Sequence, residues 1–375
     1  MFYKNSGFYN DYVSKELKGL IVYPEHRYFG VSMPFGDQKT SYLKENLVYL
    51  TTEEAMMDFV EFIRFLKNQY CEDCPVIVFG GSYGGMLASW MRMKYPNVVD
   101  FAHAASAPIY YYKNRKGLDL GVFFQIVSKN YEMHSVNCAD VIRESFGRLS
   151  KYATMSSAPI NELTGYFNLC KPLKSYRDIP LLMQYINDGF SYMAMLNYPY
   201  PTAFLKNLTA WPANSSCVPI DSVTPKSNDK DLFTAVRKSV EYYYSFGKSQ
   251  CNDIYADGAS DEDMSGWDVL ACGDQAMPMT MDGDKDMFYP EDFDYDAYTE
   301  ECYNNYGIKP DYEYTLNHFG GVTDKEYLAA SHIIFTNGGL DPWSGASPTK
   351  SLSETLIACF IRIFFTYFSS WRPSS

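Results

Sequence analysis

Residues 75–96 read PVIVFGGSYGGMLASWMRMKYP, and the reading of this stretch decides the fold. The β-branched and aromatic run at 76–79 (VIVF) has the make-up of a buried strand. It meets Gly80-Gly81-Ser82-Tyr83-Gly84-Gly85, after which helix formers take over. Strand, sharp turn and helix with one serine at the apex is the pattern of a G-x-S-x-G nucleophile elbow. The flanking glycines suit a turn too tight and too crowded for side chains. Such a turn lifts the Ser82 hydroxyl clear of the backbone at the end of a sheet. The amide N–H of Tyr83, opening the next helix, faces any negative charge that forms beside Ser82, so Tyr83 is the expected oxyanion donor. The competing reading is a glycine-rich turn with an ordinary serine. A bare G-x-S-x-G arises by chance in roughly one chain in ten of this length; the strand before and the helix after favour the elbow.

The same alternation continues outward. Thr51-Thr52-Glu53-Glu54 opens a helix with a capping box, Thr51 facing Glu54. Apolar residues then recur at Ala55, Met56, Phe59, Phe62, Ile63 and Leu66, on one helical face. Residues 11–18 are helix-like, and 19–23 (GLIVY) read as a buried strand leading into the loop Pro24-Glu25-His26-Arg27-Tyr28-Phe29-Gly30. Downstream, 98–105 read as another strand, ending at Ser106-Ala107-Pro108. These elements predict an α/β fold with a parallel-rich sheet flanked by helices. From about residue 112 to 255 helical periodicity dominates, most clearly at 181–196 and 231–247, while 256–325, rich in Asp, Gly, Met and Tyr, read as ordered loops. Residues 332–336 (HIIFT) are a strand again, followed by the loop Asn337-Gly-Gly-Leu-Asp341-Pro-Trp-Ser-Gly. The expected organisation is a first part of the core over 1–111, a mostly helical insertion with disulfide-rich loops over 112–325, a return to the core over 326–358, and a divergent apolar tail over 359–375.

Composition bounds the function. A formal charge of −13 leaves no basic surface to match phosphates, which argues against a nucleic-acid partner. Hydrophobic residues at 46% and aromatics at 17% exclude a disordered chain. Of the 9 cysteines, Cys138, Cys170, Cys217, Cys251, Cys272 and Cys302 lie in the middle, spaced by tens of residues. No C-x-x-C pairs with a second one or with a His pair, so zinc is not expected, and the chain as a whole is read as needing no cofactor. Cys71 and Cys74 form a lone C-x-x-C, for which a redox or metal role stays open. Asn207-Leu-Thr and Asn214-Ser-Ser are glycosylation sequons. Together these favour an oxidising, secretory setting. The opening Met1-Phe-Tyr-Lys-Asn-Ser carries no apolar signal core, so the expectation is a true start further upstream. The apolar run after Leu356 is too short, and too interrupted by Arg362, for a membrane span.

A serine hydroxyl needs a base to become a nucleophile, and an imidazole held by a carboxylate is the best one near neutrality. In α/β-hydrolases the partners follow in the order Ser, Asp or Glu, His. Asp341, just after a strand and far downstream of Ser82, stands where the acid belongs; a turn aspartate before proline is the alternative. No histidine follows it. The 5 histidines are His26, His103, His134, His318 and His332, all upstream. His26, in a loop after a predicted strand, and His332 are the candidates for a substitute base, but a structural role is expected for each.

At this point the residues resemble a known family. PEHRYFGVSMPFG, YLTTEEAMMDF, VFGGSYGGMLASWMRMKYP, AASAPI, NYPYPTAFL with AWP, GWDVLAC, DMFYP and FTNGGLDPWSG are similar to blocks of the lysosomal prolylcarboxypeptidase and dipeptidyl peptidase II family. The resemblance runs from about residue 6 to about residue 358. It implies an α/β-hydrolase fold with a helical cap, and a serine exopeptidase that cleaves next to proline in lysosomes or outside cells. Residue by residue, it implies Ser82 as nucleophile, Asp341 as the triad acid and Tyr83 as oxyanion donor. It also implies the pairs Cys138–Cys217, Cys170–Cys251 and Cys272–Cys302, leaving Cys71, Cys74 and Cys359 over. Proline-containing peptides are the implied partners, no membrane is implied, and a homodimer is possible. Trp343 and Met277 are candidates for an apolar proline pocket. Asp253, Asp257, Asp261, Glu262 and Asp263 are candidates for binding a terminal ammonium, against the plainer reading as solvated loop acids. The chain departs from the family pattern near Cys359, where a Gly-Ala-His-His-like block is expected around Thr366 and Tyr367. The triad histidine is therefore missing, which predicts a crippled enzyme; a peptide-binding or decoy homologue is the alternative.

Overall fold

The computed structural model describes residues 3, 6–245, 250–255 and 264–362. Asp257, Asp261, Glu262, Asp263, Thr366 and Tyr367 lie outside the described residues. In chain order, counting helices of nine residues or more, α1 (Thr52–Tyr70) leads into β1 (Ile77–Gly81), α2 (Tyr83–Lys94) and β2 (Phe101–Ala105). The chain leaves for α3 (Val122–Glu132), α4 (Val136–Ala153), α5 (Ile179–Met195), α6 (Asp229–Tyr244), α7 (Met264–Cys272) and α8 (Tyr295–Tyr306). It returns as β3 (Ile333–Gly338) and β4 (Leu356–Ile361).

The strands form one sheet in the order β1-β2-β3-β4, every pair parallel. Gly81 is in register with Ala105, and Ala105 with Thr336, so the segments that follow β1, β2 and β3 leave from one end of the sheet. Parallel strands hide both faces, and the sequence shows why these do: Val99, Ala102, Ala104, Ile333, Phe335 and Leu356 are all buried. From α2, Met86, Trp90 and Met91 fill the space over the sheet, and the Trp90 ring stacks on Phe319 at 4.3 Å. β4 runs across residue 358, where the sequence pattern set the edge of the core.

The chain between β2 and β3 is helical from α3 to α6 and shares the apolar core. The α5 and α6 helices meet through Tyr185 and Tyr244, stacked at 3.8 Å. The Cys138–Cys217 and Cys170–Cys251 bridges staple this layer and Cys272–Cys302 joins α7 to α8, as the family resemblance implies. With 79 and 81 residues between partners, the first two each restrict the unfolded chain by roughly 4–5 kcal/mol in the chain-entropy picture.

Three expectations need correction. Residues 19–23 form no strand, and Leu20 is 67% exposed. The N-terminal segment meets the sheet through rings instead, Tyr9 stacking on Phe79 at 3.8 Å. Residues 256–325 are not all loops, since they carry α7 and α8. The α8 helix starts on Asp294, whose carboxylate accepts the Asp296 and Ala297 N–H groups, and stops at left-handed Gly307. Only Cys302 of that helix is buried, so it has no apolar stripe to betray it. Finally, Cys71 and Cys74 are not left over: they are bonded to each other just after α1. Cys359, on β4, is free and exposed.

Candidate active site

Ser82 sits between β1 and α2 with φ 55° and ψ −129°, a conformation that costs a non-glycine residue about 1–3 kcal/mol. Its surroundings hold it there. Its N–H donates to the Ala105 carbonyl at 2.9 Å, and its own carbonyl accepts the Met86 N–H at 3.0 Å. Gly80 allows the turn to close, since a Cβ there would lie 1.9 Å from the Gly84 carbonyl oxygen. Because Ser82 caps α2, the free amides of the first helical turn begin at Tyr83, beside the serine.

The Tyr83 side chain points into a polar cluster that the sequence did not single out. Its hydroxyl lies 3.3 Å from Thr52 Oγ1 and 3.2 Å from His26 Nε2. Asp274 Oδ2 accepts the Thr52 N–H at 2.7 Å, and Gln275 Nε2 donates to Thr52 Oγ1 at 2.9 Å. Burial pushes Asp274 from 3.8 up to about 6, and it pushes His26 below its usual 6.5. The Tyr83 phenol is driven well above 10 by burial, with the Asp274 charge adding to the effect.

Asp341 follows β3 and caps the short 3₁₀ turn Pro342–Ala346, its Oδ1 accepting the Trp343 N–H at 3.0 Å. It is 1% exposed, and its Oδ2 is buried without a hydrogen-bond partner. Burial pushes its pKa from 3.8 up to about 6, with Ser106, just past β2, easing the shift. Ser82 and Asp341 thus flank β2 at one end of the sheet. With strands about 4.8 Å apart, the ends of β1 and β3 are separated by roughly 10 Å, room for a bridging side chain.

None of the 5 histidines fills that room. The His26 ring meets Tyr83, and its Nδ1 lies 2.7 Å from the Arg27 carbonyl. His103 lies on β2 between Tyr9 and Thr336, pushed down to about 4 by burial. His134 pairs with Asp221, His318 with Glu53, and His332 with Ser331 and Arg92. Among the pocket candidates, Trp343 packs on Phe123 with centroids 4.6 Å apart, and Met277 is half-buried against the same core. Asp253 pairs with Lys171 at 3.3 Å, as a solvated loop acid does. No group of three or more potential metal ligands occurs among the described residues. No helix among them is long and apolar enough to cross a membrane.

The serine carboxypeptidase S28 family model matches residues 4–364. The lysosomal Pro-X carboxypeptidase of Mus musculus is 38% identical over 360 residues, covering 95% of this chain and 71% of that protein. The protein of that name from Homo sapiens is 37% identical over 363 residues, covering 96% and 71%. The prolyl carboxy peptidase like protein 5 of Caenorhabditis elegans is 33% identical over 368 residues, covering 92% and 70%. With its parallel α/β sheet and the serine turn at the sheet's end, this chain belongs to the serine carboxypeptidase S28 family of serine-type peptidases.

Proposed function

We propose that Ser82 is the nucleophile, Asp341 the acid of its triad and the Tyr83 N–H an oxyanion donor, and that the substrates are peptides with proline beside the scissile bond. The observation that carries this reading is Ser82 itself, held at φ 55° between a parallel strand and a helix start. Attack by Oγ on a carbonyl carbon places the oxyanion beside the free amides of α2, where fixed N–H dipoles stabilise it. The proline preference follows from the names of the relatives; Trp343 and Met277 are the proposed apolar pocket. A lysosomal or secreted location follows from the same relatives and fits the exposed sequon residues Asn207 and Asn214. A homodimer completes the proposal.

The base is the weak point. Without an imidazole between Ser82 and Asp341, hydrolysis falls by roughly 10⁴–10⁶ relative to a complete triad. A second reading, a homologue that binds such peptides without cleaving them, is favoured by one observation: all five histidines bond elsewhere. Peptides ending in Pro-Xaa, incubated at about pH 5 and about pH 7 and followed by mass spectrometry, separate the readings. Slow release of the last residue that Ser82→Ala abolishes supports the enzyme. Saturable binding with no release beyond that of Ser82→Ala supports the binder. Neither cleavage nor binding sinks both.

A further inference from the structure

Between the elbow and the start of α1 a buried row of hydrogen bonds runs in one direction. Tyr112 donates its hydroxyl proton to Gln275 Oε1 at 2.7 Å. Gln275 Nε2 donates one proton to Thr52 Oγ1 at 2.9 Å and the other to Asp274 Oδ1 at 3.3 Å. The second Asp274 oxygen takes the Thr52 N–H. The Thr52 hydroxyl, already an acceptor, has one proton to give, and Tyr83 Oη lies 3.3 Å away. At the far end, the Arg27 carbonyl can only accept, so the His26 Nδ1 beside it must carry the proton. His26 Nε2 is then an acceptor, and the Tyr83 hydroxyl must donate to it. Thr52, Tyr112 and Gln275 are all at most 2% exposed.

The row ends on the residue next to the strained serine. Aromatic neighbours also hold the Tyr83 ring, with His26 at 5.8 Å and Trp267 edge-on at 5.6 Å. A ring fixed at its hydroxyl and along its edges restrains its own Cα, and with it the backbone torsions that set the neighbouring amide. Strained backbone persists only where its surroundings over-determine it.

We propose that Thr52, Asp274, Gln275 and His26 are positioning residues, which act through the Tyr83 side chain to hold the peptide joining Ser82 and Tyr83 in its strained conformation. The proposal rests on the reading of Ser82 as nucleophile and the Tyr83 N–H as oxyanion donor. Thr52→Val keeps the side-chain volume and removes the hydroxyl, whereas Thr52→Ser keeps the hydroxyl. Hydrogen exchange of the Ser82 and Met86 amides, which are bonded in this turn, reads the backbone directly in the full chain. Thr52→Val is expected to raise their exchange about tenfold or more, and Thr52→Ser less than about twofold. In the unsubstituted protein, ¹⁵N-histidine NMR near pH 7 is expected to show His26 neutral with its proton on Nδ1. That second measurement stands even where Thr52→Val fails to fold, and Tyr83→Phe removes the same link from the other side. A proton on Nε2, or equal exchange in Thr52→Val and Thr52→Ser, overturns the proposal. If both readouts hold but Ser82 never reacts with a fluorophosphonate, the positioning stands and the nucleophile reading falls.

Discussion

The turn after β1 and the turn after β3 stand at the same end of one sheet, yet they are finished in opposite ways. At Ser82 the strained residue is closed in by the Ala105 carbonyl, the Met86 amide, the Gly80–Gly84 approach and the clamped Tyr83 ring. At Asp341 one carboxylate oxygen caps a 3₁₀ turn while the other is buried without a partner at full hydrogen-bond geometry, eased only by the Ser106 side chain. An unmet buried acceptor costs about 1–3 kcal/mol. The serine turn is thus ordered by its own neighbours, whereas the Asp341 turn buries a carboxylate that none of the five histidines meets. The difference teaches that the contacts holding the serine turn, from the Ala105 carbonyl, the Met86 amide and the Gly80–Gly84 approach, involve no histidine except through the Tyr83 hydroxyl.

The comparison breaks first at Gly80. A Cβ at that position meets backbone, not a movable side chain, so Gly80→Ala is expected to cost about 3 kcal/mol or more. Gly84 has open space around its missing Cβ, and Gly84→Ala is expected to leave stability within about 1 kcal/mol of the parent. Urea midpoints compare the two, and equal losses would mean that the turn is not packed as described.

The next effect belongs to Asp341. Its folded pKa of about 6 lies above the usual 3.8, so between those values the folded protein holds a proton that the unfolded chain has released. Its contribution is therefore most favourable below about pH 4 and declines as pH rises through about 6. Relative to Asp341→Asn, the parent should gain about 2–3 kcal/mol as pH falls from about 7 to about 4. Asp274, also raised, and His103, lowered with the opposite sign, cancel in this difference. A pH-independent difference would show that the Asp341 carboxyl is paired in solution.

The smallest effect sharpens the account of strain. Ser82→Gly removes the side chain that disfavours φ 55° and is expected to stabilise the fold by about 1 kcal/mol, while removing any reactivity at that position. A loss of stability in thermal melts would show that the serine side chain holds the turn together.

How much was legible from the sequence follows the range of the interactions. The elbow, the Thr51 cap and the strand before Asp341 are local patterns, and all three appear in the structure. The three long-range cysteine pairs needed the family resemblance, because spacing alone does not fix connectivity. Residues 19–23 misled because an apolar run makes a strand only where a sheet edge takes it up. The α8 helix was hidden by its polar surface. Thr52, Asp274 and Gln275 were missed because their meeting joins residues more than 200 positions apart; the one signal was a polar pair one glycine beyond the bonded Cys272 and just before an apolar segment.

The most direct test of the central claim is reaction of the full chain with a fluorophosphonate, with and without added imidazole. The account predicts slow labelling confined to Ser82, accelerated about tenfold or more by imidazole acting as an external base, and absent in Ser82→Ala. Fast labelling that imidazole leaves unchanged would reveal a base within the chain, and labelling that survives in Ser82→Ala would contradict the nucleophile assignment outright.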